Sequence, residues 1–283
     1  MAANLVAGGF DVTAFDVRPE QASRWAKECS GKAATDLAQL GRSINVVVTM
    51  LPTGREVRDA LLRMDNGALA ANLRAGAIVV DMSSADPVGT RALGKELAER
   101  GIALVDAPVS GGVRGAKDGS LAIMIGGDPA AIAAVRPMLE KMGKRQFEVG
   151  ALGCGHAMKA LNNFIAATNF AAAAEALRVG QAFGLDPATM VDVVNSSSGR
   201  SSVSENLLKQ EVLSGRFAFG FTVGLLAKDV AIAASFGEQI GMDNPIGQLT
   251  RDLWAEACDA LGPERDHTEA ARAWKGRKRP GAK

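Results

Sequence analysis

Hydrophobic positions fall in short unbroken runs through the first half of the chain and in wider helical stripes through the second. Apolar, β-branched runs bounded by turn residues predict buried strands over residues 12–15, 44–50, 77–81, 102–105, 121–125 and 146–149. Amphipathic segments lie between them, among them residues 1–7 (stopped by Gly8-Gly9), 54–63, 88–100 and 129–142. Strands that alternate with helices predict a mostly parallel sheet covered on both faces. Beyond Gly150 the strand pattern ends. Residues 157–182 read as one helix of about seven turns, and Asp186-Pro187 opens the next as cap and first residue. Further helices are expected over residues 203–213, 224–236 and 246–261. The pattern divides the chain into an α/β domain over residues 1–148 and an all-helical domain over residues 149–283.

Composition narrows the function classes. A net charge of +1 gives no field that would gather nucleic acid or an anionic membrane, and the absence of tyrosine argues against a base-stacking surface. The tail over residues 272–283 is basic but short, and reads as a frayed terminus. Residues 164–176 form the most apolar tract, yet it carries Asn169 and Glu175 and is too short to span a bilayer. The three cysteines, Cys29, Cys154 and Cys258, are far apart and odd in number, which points to a reducing compartment and a cytoplasmic protein. With two histidines in all, no metal site is expected.

The chemistry concentrates in two segments. Residues 153–163 read Gly-Cys-Gly-His-Ala-Met-Lys-Ala-Leu-Asn-Asn, so Lys159 and Asn163 lie four apart on one helix face. A cation in the first turns of a helix is poorly placed relative to the helix dipole, which argues against an idle surface lysine. His156, earlier in that helix, reads as a helix-start residue. Residues 106–112 read Asp-Ala-Pro-Val-Ser-Gly-Gly after an apolar run: a strand ending in a turn whose backbone amides can face an anion. A lysine, an amide and an anion-binding loop are the parts needed to hold a small hydroxy acid and move its hydroxyl proton.

These two segments together resemble the β-hydroxyacid dehydrogenase family, the group of 3-hydroxyisobutyrate dehydrogenase and tartronate semialdehyde reductase, over essentially the whole chain. The resemblance implies a Rossmann-like parallel-sheet domain that binds the nicotinamide dinucleotide, followed by an all-helical domain for substrate binding and oligomerisation, and a homodimer or homotetramer. It implies an NAD(P)-dependent oxidoreductase that interconverts a small 3-hydroxy acid and its semialdehyde, with Lys159 as general acid/base. Ser110, Gly111 and Gly112 would anchor the substrate carboxylate, and Asn163 would bond the substrate near its hydroxyl. On the cofactor side the resemblance implies Asp16 on the adenosine ribose, Met50, Leu51 and Pro52 against the nucleotide, Ser84 at the nicotinamide end, and Lys228 of Lys228-Asp229 closing the site. Asp16 favours NAD by repelling a 2′-phosphate; Arg18, two residues on, keeps NADP as the alternative. Glu56 stands where relatives often carry an uncharged residue near the cofactor. Lys159 argues against an imine reductase, and the short loop argues against a phosphosugar acid.

One family part is missing. A doubly wound dinucleotide domain opens with a strand and a Gly-x-Gly-x-x-Gly turn, whereas this chain matches the family from the helix that follows. The first strand is central in such a sheet, so its absence should split the sheet and leave ladder groups unpaired. The expectation is a start codon assigned too late. The alternative is a catalytically impaired member that acts as an oligomeric or binding module.

Overall fold

The computed structural model describes residues 1–63 and 68–274; the tail from residue 275 onward, part of the basic terminus noted above, lies outside them. The chain divides into two compact units, Met1–Lys159 and Ala160–Lys283.

In the first unit the alternation of strands and helices is present throughout. In order it contains α1 (Ala2–Ala7), β1 (Thr13–Ala14), α2 (Pro19–Cys29), β2 (Lys32–Ala33), α3 (Leu37–Ser43), β3 (Val46–Thr49), α4 (Gly54–Leu62), α5 (Leu69–Asn72), β4 (Ile78–Asp81), α6 (Pro87–Ala98) and β5 (Ala103–Asp106). It continues with β6 (Val109–Ser110), α7 (Gly112–Asp118), β7 (Ala122–Gly126), α8 (Pro129–Met142) and β8 (Arg145–Gly150). Strands β3, β4 and β5 run parallel and in register, Thr49 beside Asp81 and Asp81 beside Asp106. The side-chain period of two then sorts the core. Val79 and Leu104 face a layer with Leu61, Leu93 and Leu97, while Val80 and Val105 face one with Ile132, Val135 and Leu139. Both faces of the sheet are therefore covered, which is what continuous apolar strands require.

The strands fall into two separate sheets, the split that the sequence led one to expect. Among the described residues β1 and β2 pair only with each other, and the larger sheet runs β3-β4-β5-β7-β6 with β8 also on β7. One element differs from the expectation. Residues 106–112 were expected to leave the strand in an open turn, but Val109 and Ser110 form a short strand antiparallel to β7, pairing with Ile123 and Ala122. The open turn begins only at Gly111.

Helix α9 (Cys154–Phe183) begins in the first unit and continues into the second, which adds α10 (Pro187–Asn195), α11 (Ser202–Asn206), a π-helical turn (Leu208–Leu213), α12 (Val223–Gln239), α13 (Pro245–Leu261), a 3-10 turn (His267–Glu269) and α14 (Ala270–Ala273). Asp186 caps α10 through the Thr189 amide, with Pro187 at the first position. The single helix expected over residues 203–213 is instead two pieces, because Val212 N bonds Leu207 O five residues back. The wider turn holds Glu211 inward, 1% exposed, where it accepts from Arg216 and from Ala218 N.

The core of this unit is aromatic. Trp254 is fully buried and donates from Nε1 to Ala167 O at 3.2 Å; Phe170 and Trp274 pack against it. His267 sits among these rings, 5% exposed, its Nδ1 3.0 Å from Phe221 O. A carbonyl only accepts, so Nδ1 carries the proton. Burial holds the imidazole pKa below its ordinary value, opposed only partly by Phe221 O, Asp266 and Glu211. The unfolded chain therefore takes up the proton first, and stability falls as pH drops below the ordinary histidine value of about 6.5. His267→Asn, which retains a donor for Phe221 O, should flatten the fall of Tm between pH about 6.5 and more acid solution; identical slopes in the two proteins would dismiss His267 as its source.

Candidate active site

The site's framework is a row of polar groups at the carboxyl ends of three adjacent strands. Thr49, Asp81 and Asp106 end β3, β4 and β5 side by side, and all three are buried. Asp81 Oδ1 accepts from Thr49 Oγ1 at 2.9 Å and from Ser83 N at 3.0 Å. Ser83 Oγ in turn accepts from Leu51 N at 2.9 Å. The loop with Met50, Leu51 and Pro52 and the loop with Ser84 are thus tied into one network. Met50 is exposed, and Ser84 is half-buried beside it in sequence order on the next strand end. Glu56 has a local role: it and Thr53 form the capping contact that starts α4, and the Thr53 hydroxyl holds its carboxyl below the usual range.

Asp106 holds the start of α9. Its Oδ1 accepts from Gly153 N at 2.8 Å and its Oδ2 from His156 N at 2.7 Å. It supplies from the end of β5 what a helix ordinarily receives from its own N-cap. Burial raises the Asp106 carboxyl pKa, while nearby His156 and these amides pull it down. The glycines that flank this region allow the close approach. A Cβ at Gly155 would stand 2.5 Å from Met124 O and 2.8 Å from Asp106 O, and one at Gly126 would stand 2.6 Å from Asp106 Oδ1. Because the blocking atoms include backbone, Gly155→Ala should cost about 1–3 kcal/mol. A chemical melt checks this, and a variant as stable as the parent would show that the helix start can retreat freely.

Lys159 follows one turn after His156 on α9 and is half-buried. Both the Lys159 turn and the Ser110–Gly112 segment therefore spring from Asp106, one through its side chain and the other through its main chain. Gly111 and Gly112 are exposed, with φ of 131° and 61°, and a Cβ at Gly112 would meet nothing within 4 Å. This is the open, side-chain-free turn an approaching anion needs. Ser110 is half-buried on β6.

Asn163 lies in the second unit and is buried. Its Nδ2 donates to Asp229 Oδ2 at 2.6 Å, and its Oδ1 accepts from Asn162 Nδ2 at 3.2 Å. Two of the four hydrogen-bonding positions of the amide are used this way. Lys228 Nζ stands 3.2 Å from Asp229 Oδ1, a charge pair without hydrogen-bond alignment, and Asp229 is 3% exposed. Lys228-Asp229 is therefore no solvated surface pair. Asp16 follows β1 at its carboxyl end, half-exposed, accepting from Arg18 N at 2.8 Å.

Sequence reasoning gave no part to Asp81 and Thr90, read His156 as a helix-start residue, and named Asp106 and Asp229 only as members of the segments that carry Ser110 and Lys228. Two carried a signal: Ile78-Val-Val-Asp81 and Ala103-Leu-Val-Asp106 are the same pattern, an apolar strand ended by a carboxylate. Polar groups and loops lie at strand carboxyl ends, where such sheets bind ligands: the half-exposed Asp16 carboxylate after β1, a loop after β3 with Met50 exposed, and a mostly buried loop after β4 in which Ser84 is half-buried. No Gly-x-Gly-x-x-Gly turn for the pyrophosphate occurs within the sequence.

Comparison with known proteins agrees with this layout. Residues 1–153 match the NAD binding domain of 6-phosphogluconate dehydrogenase, and residues 153–274 match the NAD-binding family of NADP-dependent 3-hydroxyisobutyrate dehydrogenase. The chain is 35% identical over 270 residues to 2-(hydroxymethyl)glutarate dehydrogenase of Eubacterium barkeri, covering 95% of this chain and 88% of that one. It is 35% identical over 261 residues to 3-hydroxyisobutyrate dehydrogenase of Pseudomonas aeruginosa, covering 90% and 87%. The solved structure of Mycobacterium tuberculosis 3-hydroxyisobutyrate dehydrogenase with L-serine superimposes with a TM-score of 0.88 at 28% identity, over 97% of this chain and 94% of that one. A parallel sheet ending in a polar row, a lysine helix tethered to it, and relatives of this kind along nearly the full length lead to one assignment: the chain belongs to the β-hydroxyacid dehydrogenase family of nicotinamide-dependent oxidoreductases.

Proposed function

We propose that the protein oxidises a small 3-hydroxy acid to its semialdehyde, reversibly, with Lys159 as the group that moves the hydroxyl proton. The observation that carries this is the double use of Asp106, which ties the Lys159 turn to the strand end leading into Ser110, Gly111 and Gly112. The substrate carboxylate would rest on those three residues, with the Gly111 and Gly112 turn admitting it closely. Asn163 would orient the carbinol end, held in its rotamer by Asp229. In the oxidative direction the unprotonated Lys159 amine takes the hydroxyl proton; in reduction the ammonium returns it and stabilises the alkoxide as it forms. A nicotinamide bound there would supply the hydride acceptor for the carbinol hydrogen and its electron pair. Asp16 would accept from the adenosine ribose hydroxyls, Met50, Leu51 and Pro52 would pack on the nucleotide, Ser84 would meet its nicotinamide end, and Lys228 would close the site. Asp16 favours NAD, with NADP the second choice.

On this reading residues 1–148 form the dinucleotide domain and residues 149–283 the helical substrate and oligomerisation domain, in a cytoplasmic homodimer or homotetramer. Exposed Leu161, Ile165, Val179 and Phe183 along α9 support a subunit contact. Among the described residues no helix is long and apolar enough to cross a membrane.

The test is to supply the full chain with NAD or NADP and a panel of 3-hydroxyisobutyrate, 2-(hydroxymethyl)glutarate and L-serine, and to follow nicotinamide reduction. Turnover of at least one with NAD preferred is the expected result. No turnover together with no saturable NADH binding would overturn the reading.

A further inference from the structure

We propose that His156 is a positioning residue for hydride transfer: its buried imidazole sets the spacing between the Ser84 loop and the helix turn that carries Lys159. The proposal rests on the reading of Lys159 as the proton-transfer group.

The ring is 1% exposed in the first turns of α9. Its Nδ1 lies 2.8 Å from Thr90 Oγ1. The Thr90 hydroxyl donates its one proton to Asp86 O at 3.0 Å, so it accepts from the ring and Nδ1 carries the hydrogen. On the other side Nε2 faces Asp81 Oδ2 at 3.7 Å and has no hydrogen-bond partner among the described residues. Asp106 Oδ2 stands 3.9 Å from Nδ1 and accepts from the backbone amide of His156.

The placement of these partners in the chain gives the ring its role. Asp81 ends β4, and Thr90 lies in the first turns of α6. Ser84 sits in the segment between them. Three residues before Lys159, His156 thus bonds to the chain that follows the loop proposed to meet the nicotinamide and faces, at 3.7 Å, the carboxylate that precedes it. Through Asp81 the contact extends to Thr49, Ser83 and Leu51. Movement of the imidazole would shift the Lys159 turn against the cofactor-side loops. Hydride and proton transfer depend on that distance, and a displacement of about 1 Å can cost about 10²-fold in rate. A purely structural histidine would serve stability alone, and its loss would leave the rate per folded molecule intact.

The experiment compares His156→Leu, which removes the bond to Thr90 and the ring nitrogen facing Asp81, with His156→Asn, whose side-chain amide can donate to Thr90 as Nδ1 does. Rates are expressed per NADH-binding site, well below the Tm of each variant. His156→Leu is expected to lower kcat by about 10- to 100-fold with the KM for NAD unchanged. A substrate deuterated at the carbinol carbon should show a larger isotope effect on kcat in this variant, because chemistry becomes slower than product release. His156→Asn should recover part of the rate. Wild-type kcat and isotope effect in His156→Leu, however far its Tm falls, would overturn the proposal. If His156→Leu does not fold, Thr90→Val removes the same contact with little change of shape; a several-fold loss of kcat supports the role and an unchanged kcat overturns it. An unmutated chain that neither turns over a 3-hydroxy acid nor binds NADH saturably overturns the parent reading, whereas an active parent with unaltered variants overturns the positioning role alone.

Discussion

Lys159→Ala is expected to lower kcat for the 3-hydroxy acid by about 10²- to 10⁴-fold, the range set by loss of a positioned general acid/base, while NADH binding survives. The side chain is half-buried on a helix whose start is fixed to the sheet through Asp106, so the lost function cannot be restored by a neighbour sliding into place. Lys159→Arg should be nearly as poor. A guanidinium keeps the positive charge but stays protonated, so it cannot accept the substrate proton. Lys159→Met preserves length and packing and isolates the amine. Single-turnover hydride transfer separates these effects from product release. An alanine variant within tenfold of the parent rate would remove Lys159 from the chemistry and force the proton onto another group or onto water.

Asp106→Ala carries the largest expected loss of stability. It leaves the amides of Gly153 and His156 without their acceptors in a buried site. Each orphaned buried donor costs about 1–3 kcal/mol, so the pair costs about 2–6 kcal/mol. Asparagine is a poor substitute, since its single oxygen serves one amide while its NH₂ group confronts the other. The desolvation that raises the Asp106 carboxyl works the other way. With a folded pKa above the unfolded one, ionised Asp106 costs stability at neutral pH, and that part is regained as pH falls through its folded value. The variant should therefore owe its stability deficit to the missing acceptor bonds and recover a little by shedding a buried charge. Denaturant midpoints measure the sum. A change below about 1 kcal/mol would mean that the start of α9 is held by its close packing on Gly126 and Met124 rather than by the carboxylate.

Much of this architecture is legible from local pattern. The parallel strands, α8, the long α9 and the Asp186-Pro187 helix start follow from periodicity and capping residues, and the division of the strands into two sheets was expected as well. What escapes the sequence is non-local. Ser110 was expected in an open turn because a two-residue antiparallel strand has too few residues to show a period, and its partner Ala122 lies beyond α7. The π-helical turn after Leu207 hides inside a normal helical stripe. The Asp81, Thr90, Asp106 and His156 cluster joins four segments whose separations, 47, 50 and 66 residues for its hydrogen bonds, exceed any local rule. His156 looks like an ordinary helix-start residue until the strand ends are assembled around it.

The tether from Asp106 to the amides of Gly153 and His156 bears on the order of assembly. Contacts closed over some fifty residues form late, because chain entropy must be spent before they return any free energy. The turn bearing Lys159 reaches its final seat only after β4 and β5 are paired and the residues between Asp106 and Gly153 have been laid down. During refolding, helical signal should return ahead of competence, and a chain arrested at that stage would be compact, mostly helical and inert.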